Sequence, residues 1–219
     1  MHISKLLFSG AIALSLLSPA NSQTAIAQDT HNTIEPTTEQ AISPDAALKG
    51  VADYYHNLRA LKARFEMIDP NGGLSTGVFY FQRPDRMRFS FVTPTQQVIT
   101  ADNIWLSIQE SPKAEANRYP VNSSPIGQFL KSNRRLDETP MLQSISVETN
   151  RVVLNLNDPD DPDTGALRLI FSYPEISLIG WRLRDVQNQF TEIFFSEHET
   201  LDQLPNEVFF VNESDKEFN

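Results

Sequence analysis

The chain has few side chains whose type and spacing could do catalytic or metal chemistry. It contains no cysteine, and its four histidines are His2, His31, His56 and His198. None of them has the spacing of a zinc motif, and no nucleophile elbow, phosphate loop or dinucleotide fingerprint occurs. The acidic run at 158–163 lacks the alternating ligands of a calcium loop, so a solvated turn is the better interpretation. We expect no metal, no cofactor and no enzyme, with an acid and base pair of carboxylates such as Glu192 and Glu197 as the minor alternative.

Residues 77–91 have the spacing of an apolar surface. Bulky apolar side chains fall at every second position on both sides of Arg83 and Pro84, which predicts two strands joined by a turn, with Arg86 and Arg88 on the opposite face. The apolar face carries Phe79, Phe81, Met87, Phe89 and Phe91. We expect its cover to include an apolar ligand. For any single Phe, ordinary packing against helices is the alternative.

The N-terminal segment resembles a targeting signal. Lys5 is followed by an apolar run at 6–17 and by a small-x-small site that ends at Ala27, which is the layout of a secretory signal peptide. The apolar run is shorter than the roughly 20 residues of a membrane-spanning helix. We predict a signal peptide at 1–27, a polar and flexible leader at 28–42, and one folded domain at 43–219 outside the cytoplasm.

The net charge of the chain limits the classes of partner that it is expected to bind. The net charge is −10, and removing Lys5 with the signal peptide would make it −11. Nucleic acid is therefore not expected as a partner, nor is adsorption of a polybasic patch to an anionic membrane. A negative surface mainly favours solubility, and steering of a basic protein partner is the alternative. We expect a monomer.

The elements that would position the apolar face are a helix and a series of strands. Ser43 and Pro44 predict a helix start, and Leu48, Val51, Tyr55 and Leu58 then recur along one stripe. A strand follows at 61–67, in which Phe65 and Met67 alternate with charged residues. A hairpin is predicted from strands at 96–100 and 104–108.

The second half of the chain completes the predicted sheet. Residues 110–139 interrupt the strands and include a short helix after Pro125, with Ile126, Phe129 and Leu130 as its apolar set. A long excursion of this kind favours a functional loop or lid. Strands then follow at 145–147, 151–156, 166–171, 178–184, 190–195 and 208–211. About ten strands and few helices predict an α+β, mainly β domain, an incomplete antiparallel β-barrel with helices on its concave side.

Four segments resemble those of the outer-membrane lipoprotein carrier protein (LolA) family. They are Leu61-Lys-Ala-Arg-Phe65, Gly77-Val-Phe-Tyr-Phe-Gln-Arg83-Pro84, Met87-Arg-Phe-Ser-Phe91 and Ile99-Thr-Ala-Asp-Asn-Ile-Trp105. Their order and spacing carry the resemblance, which spans roughly 44–212. Asp102-Asn103 stands where the family has Asp-Gly, and Glu66-Met67 stands where it often has glutamine.

The resemblance implies a periplasmic carrier that shelters lipoprotein acyl chains on an apolar concave face beneath helices. The implied partners are acylated lipoproteins, an inner-membrane lipoprotein-releasing ABC transporter and an outer-membrane receptor. The predicted residues of the acyl cavity are Phe65, Met67, Phe79, Phe81, Met87, Phe89, Phe91, Ile126 and Phe129.

The arginine of the family's Arg-Pro pair corresponds to Arg83. A guanidinium beside an apolar cavity could bond helix or loop carbonyls and hold the lid closed. The alternative is an exposed turn arginine. For the whole protein, the alternative function is a periplasmic sensor or interaction module that uses the same half-barrel to bind a protein or lipid signal.

Overall fold

The computed structural model describes residues 43–121, 125–131 and 134–212. The predicted signal peptide and leader, at 1–27 and 28–42, lie outside the described residues. In the ranges that are described, no helix combines the length and the apolarity that crossing a membrane requires.

The first helix, α1, spans Pro44–Asn57 and starts where the sequence predicts. Ser43 is the N-cap, and its Oγ accepts a hydrogen bond from the backbone N–H of Ala46 at 3.2 Å. Pro44 occupies the first turn, where its missing N–H leaves no helical bond unmade. Val51 and Tyr55 on the predicted stripe are buried, so the apolar face of α1 lies against the rest of the domain.

The strands form one antiparallel sheet that is open at both sides. Their bounds are β1 Ala60–Ile68, β2 Leu74–Gln82, β3 Arg86–Thr93, β4 Val98–Ala101, β5 Trp105–Gln109, β6 Asn117–Pro120, β7 Leu142–Glu148, β8 Arg151–Asn157, β9 Ala166–Ser172, β10 Leu178–Arg184 and β11 Phe190–Leu201. The order across the sheet is β6-β5-β4-β3-β2-β1-β11-β10-β9-β8-β7. The first and last strands therefore pair in the middle, and β6 and β7 are the edges. This open, curved sheet confirms the predicted mainly β half-barrel.

The hydrophobic core lies on one face of the sheet, which we call the inner face. It carries Phe65, Phe79, Phe89, Trp181 and Phe195, all buried in one cluster with side chains of α1. The second helix, α2 at Pro125–Lys131, adds apolar residues to the same cluster. The opposite, outer face carries the residues that alternate with these along each strand. Both helices thus cover the inner face, as predicted.

Two segments differ from the sequence-based predictions. The excursion at 110–139 contains strand β6, which pairs with β5 and forms an edge of the sheet. The strand predicted at 208–211 is wrong, because Asn206–Phe209 is a 3-10 helix that follows Pro205. Its end is tied to the outer face, where Nη1 of Arg88 donates to the carbonyl of Phe210 at 3.1 Å. The backbone there bonds a side chain instead of a neighbouring strand.

Candidate functional site

Aromatic rings on the inner face of β1, β2 and β3 form a continuous apolar surface. Strand register places Phe79 directly opposite Phe89. The centroids of these two rings are 4.7 Å apart, and Phe65 meets the Phe89 ring edge-on at 5.1 Å. Aromatic pairs at these separations gain about 0.5–1.5 kcal/mol beyond the area they bury. The alternation predicted from the sequence therefore brings these aromatic rings into direct contact.

Gly77 makes room for this cluster. It lies opposite Phe65 on β1 and Phe91 on β3. A Cβ at Gly77 would come within 2.1 Å of the Ser90 carbonyl oxygen and 2.7 Å of the Phe65 ring. Without a side chain there, the Phe65 ring lies across β2 and reaches Phe91 with a centroid separation of 5.0 Å.

The cluster extends beyond the residues that the sequence singled out. Trp181 on β10 and Phe195 on β11 pack on Phe79, with ring centroids at 5.2 and 4.7 Å. Both rings are buried. Alternation in β11 could have placed Phe195 on the inner face, but only the pairing of β1 with β11 brings it next to Phe79.

The structure brings most of the predicted cavity residues together. Seven of them belong to the core cluster of the described residues and are at most 6% exposed: Phe65, Phe79, Phe81, Met87, Phe89, Phe91 and Ile126. Met67 is partly buried and packs against this cluster. Phe129 lies in α2, but its side chain is outside the described residues. Their contact with an acyl chain stays a prediction.

The cover over the inner face has two parts. The first is α1, whose Tyr55 ring lies 5.9 Å from the Phe81 ring. The second is the segment 125–141, which contributes Ile126 and Leu130 from α2 and Leu136 beyond it, all buried in the same cluster. Because these side chains occupy the space above the sheet, the site is closed in this state.

Arg83 contacts the first part of the cover. Its guanidinium carbon lies 5.1 Å from the centroid of the Tyr55 ring on α1, a cation–π arrangement. Burial raises the pKa of the Tyr55 hydroxyl above its ordinary value, an effect that the nearby Arg83 charge opposes. Arg83 therefore touches α1, and its role as a lid clamp stays a prediction.

Arg135 links the two parts of the cover, and the sequence analysis did not identify it. Its Nη2 lies 2.8 Å from Oδ1 of Asp53 on α1. Its Nε donates to Oδ1 of Asp137 at 3.0 Å, and Nη2 donates to Oδ2 of the same carboxylate at 3.0 Å. Planar, two-point bonding of this kind is the strongest arrangement between a guanidinium and a carboxylate. The charged run at 134–138 was the available signal.

The carboxylates of this network are held in their charged forms. Hydrogen bonds from Lys49 and then from Arg135 lower the pKa of Asp53. A hydrogen bond from Arg135 lowers the pKa of Asp137. The same two carboxylates raise the pKa of Arg135. The link between α1 and the segment 125–141 is therefore fully ionised at neutral pH.

These features define a class of protein, an open β half-barrel whose apolar inner face lies under a two-part helical cover. The family whose sequence model matches residues 56–212 is described as outer membrane lipoprotein carrier protein LolA. The match spans more than half of the chain, and the chain belongs to this family.

Individual relatives carry the same description. The chain is 27% identical over 182 residues to an outer-membrane lipoprotein carrier protein of Dechloromonas aromatica, a match that covers 77% of this chain and 86% of that one. A protein of the same name from Leptothrix cholodnii is 26% identical over 133 residues, covering 58% and 56%. The crystal structure of a LolA superfamily protein from Nitrosomonas europaea superposes with a TM-score of 0.42 at 12% identity, covering 78% and 98%.

Proposed function

We propose that this protein is a periplasmic carrier that takes up the acyl chains of lipoproteins on its inner face and carries them toward the outer membrane. Family membership and the names of the relatives support this role. The observation that carries it is the aromatic inner face under a cover whose two parts are joined by polar side chains. An apolar surface under a cover that opens when its polar contacts separate suits an acylated cargo that must cross water.

Uptake requires the cover to move, because its own side chains fill the space above the sheet. Burial of acyl chain returns about 0.8 kcal/mol for each CH₂. A chain with about ten buried CH₂ groups would therefore gain roughly 8 kcal/mol, enough to offset the loss of a few side-chain contacts. The proposed cycle alternates between the closed state described here and an open state occupied by the cargo.

The proposed route starts at an inner-membrane ABC transporter and ends at the outer membrane, with a receptor there as the acceptor. The net charge of −10 suits contact with basic surfaces on such partners. The aromatic inner face supports the proposed cargo, while family membership supports the proposed exchange partners.

The test is capture of a lipoprotein from inner-membrane vesicles that contain the transporter. The purified protein should release an acylated lipoprotein as a soluble complex, and it should leave behind the same lipoprotein in which the acylated cysteine is replaced by serine. Equal capture of the acylated and unacylated forms would overturn the acyl-carrier proposal and favour a protein-binding module.

A further inference from the structure

The outer face carries a cleft of about 420 Å³ that the carrier proposal does not use. Arg168, Arg182 and Arg184 line it, and the described residues of its wall include no Asp or Glu. The chain as a whole has a net charge of −10. A concentration of positive charge in one cleft of an acidic protein indicates a selective attraction for anions. We call this feature the arginine cleft.

Strand pairing forces two of these charges together. Arg168 on β9 and Arg182 on β10 are direct partners across the two strands. Side chains of direct partners start about 4.5–5.5 Å apart, and like charges in this arrangement are destabilising. Arg184 is two residues along β10 and faces Ala166, which places a third guanidinium on the diagonal. Glu192 offsets part of the charge of Arg182, and a bound anion would relieve the repulsion that remains.

Arg182 is held in place from two sides. Its guanidinium carbon lies 4.4 Å from the centroid of the Phe190 ring. Its Nε lies 3.2 Å from Oε1 of Glu192 on β11. Nε has no hydrogen-bond partner among the described residues, so the contact with Glu192 is one of charge, and the stack on Phe190 orients the plane of the guanidinium.

Arg168 and Arg184 are positioned by neutral groups. Nε of Arg168 donates to Oδ1 of Asn155 at 2.9 Å. Nη2 of Arg184 donates to the carbonyl of Pro162 at 3.4 Å. Each guanidinium has five N–H donors, so these contacts orient the side chains and leave most donors for a ligand. Neither contact supplies a negative charge.

The ligand chemistry follows from this set of donors. Guanidinium groups pair with carboxylate and phosphate oxygens through parallel N–H bonds. A carboxylate offers two oxygens, whereas a phosphate monoester offers three terminal oxygens and nearly two negative charges, which match three guanidiniums better. The volume lies within the range of about 300–1,000 Å³ for small-molecule sites. The Phe190 ring provides an apolar wall for the organic part.

We propose that the arginine cleft binds a phosphate monoester, with the phosphate among Arg168, Arg182 and Arg184 and the organic part beside Phe190. A soluble ester and a lipid that ends in a phosphate present the same group. This site is on the opposite face of the sheet from the proposed acyl site, so it adds a second ligand and can be tested independently.

The test is a titration followed by NMR of the arginine Nε–H signals, with chloride at equal ionic strength as the reference. The probes are glycerol 3-phosphate, a phosphodiester analogue, and vesicles with or without phosphatidic acid. The variants are Arg168→Gln and Arg184→Gln, with Arg64→Gln as the control, since Arg64 lies on the same outer face and is ion-paired to Glu197. Circular dichroism checks that each variant is folded.

The proposal predicts a saturable shift of the Arg168 and Arg184 signals with the monoester, weaker binding of the diester, and a loss of affinity of about tenfold or more in either cleft variant. Arg64→Gln should bind like the unchanged protein. A preference for glycerol 3-phosphate would identify a soluble ligand, and a preference for phosphatidic acid vesicles would identify a lipid. Shifts that do not saturate would overturn the proposal. So would an affinity for the monoester that is unchanged from that of the unsubstituted protein in folded Arg168→Gln and folded Arg184→Gln.

Discussion

Arg135 reaches across the cover of the sheet to Asp53, with Nη2 and Oδ1 separated by 2.8 Å. Asp53 belongs to α1, and Arg135 follows α2, so this bond joins the two parts of the cover. Asp137 holds the same guanidinium from its own segment. Partly exposed polar side chains separate in water more easily than buried rings do, so we expect the cover to open at this pair.

Arg135→Gln should loosen the cover. The change removes charge-assisted hydrogen bonds to Asp53 and Asp137, which solvent screening weakens at this partly exposed position. We expect uptake of a fluorescent fatty-acid analogue to be roughly tenfold faster by stopped flow. Arg134→Gln is the control, because Arg134 is its exposed neighbour. Equal rates in the two variants would contradict a tether at Arg135.

The stability of the domain should depend on pH through the same network. The pKa values of Asp53 and Asp137 are lowered in the folded protein, whereas an unfolded Asp titrates near 3.9. Their contribution is therefore complete above about pH 4 and is lost as the pH falls through the lowered values. The urea midpoint of the unchanged protein should exceed that of Arg135→Gln at neutral pH, and this difference should shrink below about pH 4. A difference that persists unchanged at lower pH would argue against this linkage.

Arg83→Leu tests the predicted clamp. The change removes the cation–π contact with Tyr55 on α1 and should alter the entry or release rate of the acyl probe by about tenfold. Arg59→Leu is the control, because the Arg59 side chain is exposed while its carbonyl accepts from the Arg83 N–H in either variant. Arg86→Leu would not serve as a control, because Nη1 of Arg86 donates to Oδ1 of Asn206 at 3.1 Å and the change would remove this bond. Probe rates and receptor transfer that both stay constant in Arg83→Leu would make Arg83 an ordinary turn residue.

Phe89→Ala should lower both stability and probe affinity. Phe89 contacts the rings of Phe65, Phe79 and Trp181, and deletion of such a buried ring costs about 3–5 kcal/mol. Phe194→Ala is the matched change on the outer face, where that ring is 44% exposed. Melting temperature and probe affinity are measured together. A Phe89→Ala protein with normal affinity and a reduced melting temperature would identify the ring as core alone.

Gly77→Ala should destabilise the domain strongly for its size. The new methyl would meet the Ser90 carbonyl at 2.1 Å and the Phe65 ring at 2.7 Å, and overpacking typically costs about 1–3 kcal/mol. Gly180→Ala provides the comparison, because its nearest neighbour is the Ile193 carbonyl at 3.0 Å. Urea unfolding should rank Gly77→Ala as the less stable of the two. The reverse order would show that β2 and β3 can separate without loss.

Local patterns predicted most of the strands and the helix start, because alternation and capping depend on neighbours in the sequence. Phe79 and Phe89 could be placed on one face for this reason, since a short turn fixes their register. The contact of Trp181 with Phe79 could not be predicted in this way, because the two rings come from strands that are far apart in the chain. The bond between Arg135 and Asp53 joins residues 82 positions apart, so it depends on how α1 and the later segment pack. Contacts of that kind are set by the tertiary fold.

The pairing of β1 with β11 has a consequence for how the chain must be made. Phe65 meets Phe195 at the centre of the sheet, so the middle of the domain cannot close until its last strand is available. Closing so large a loop carries an entropic cost and slows folding. A chain still being synthesised would hold two separate half-sheets with unpaired borders at β1 and β10. Completion of the sheet therefore waits for the C-terminal strand, and an unfinished chain exposes the backbone groups at both borders to pairing with other strands.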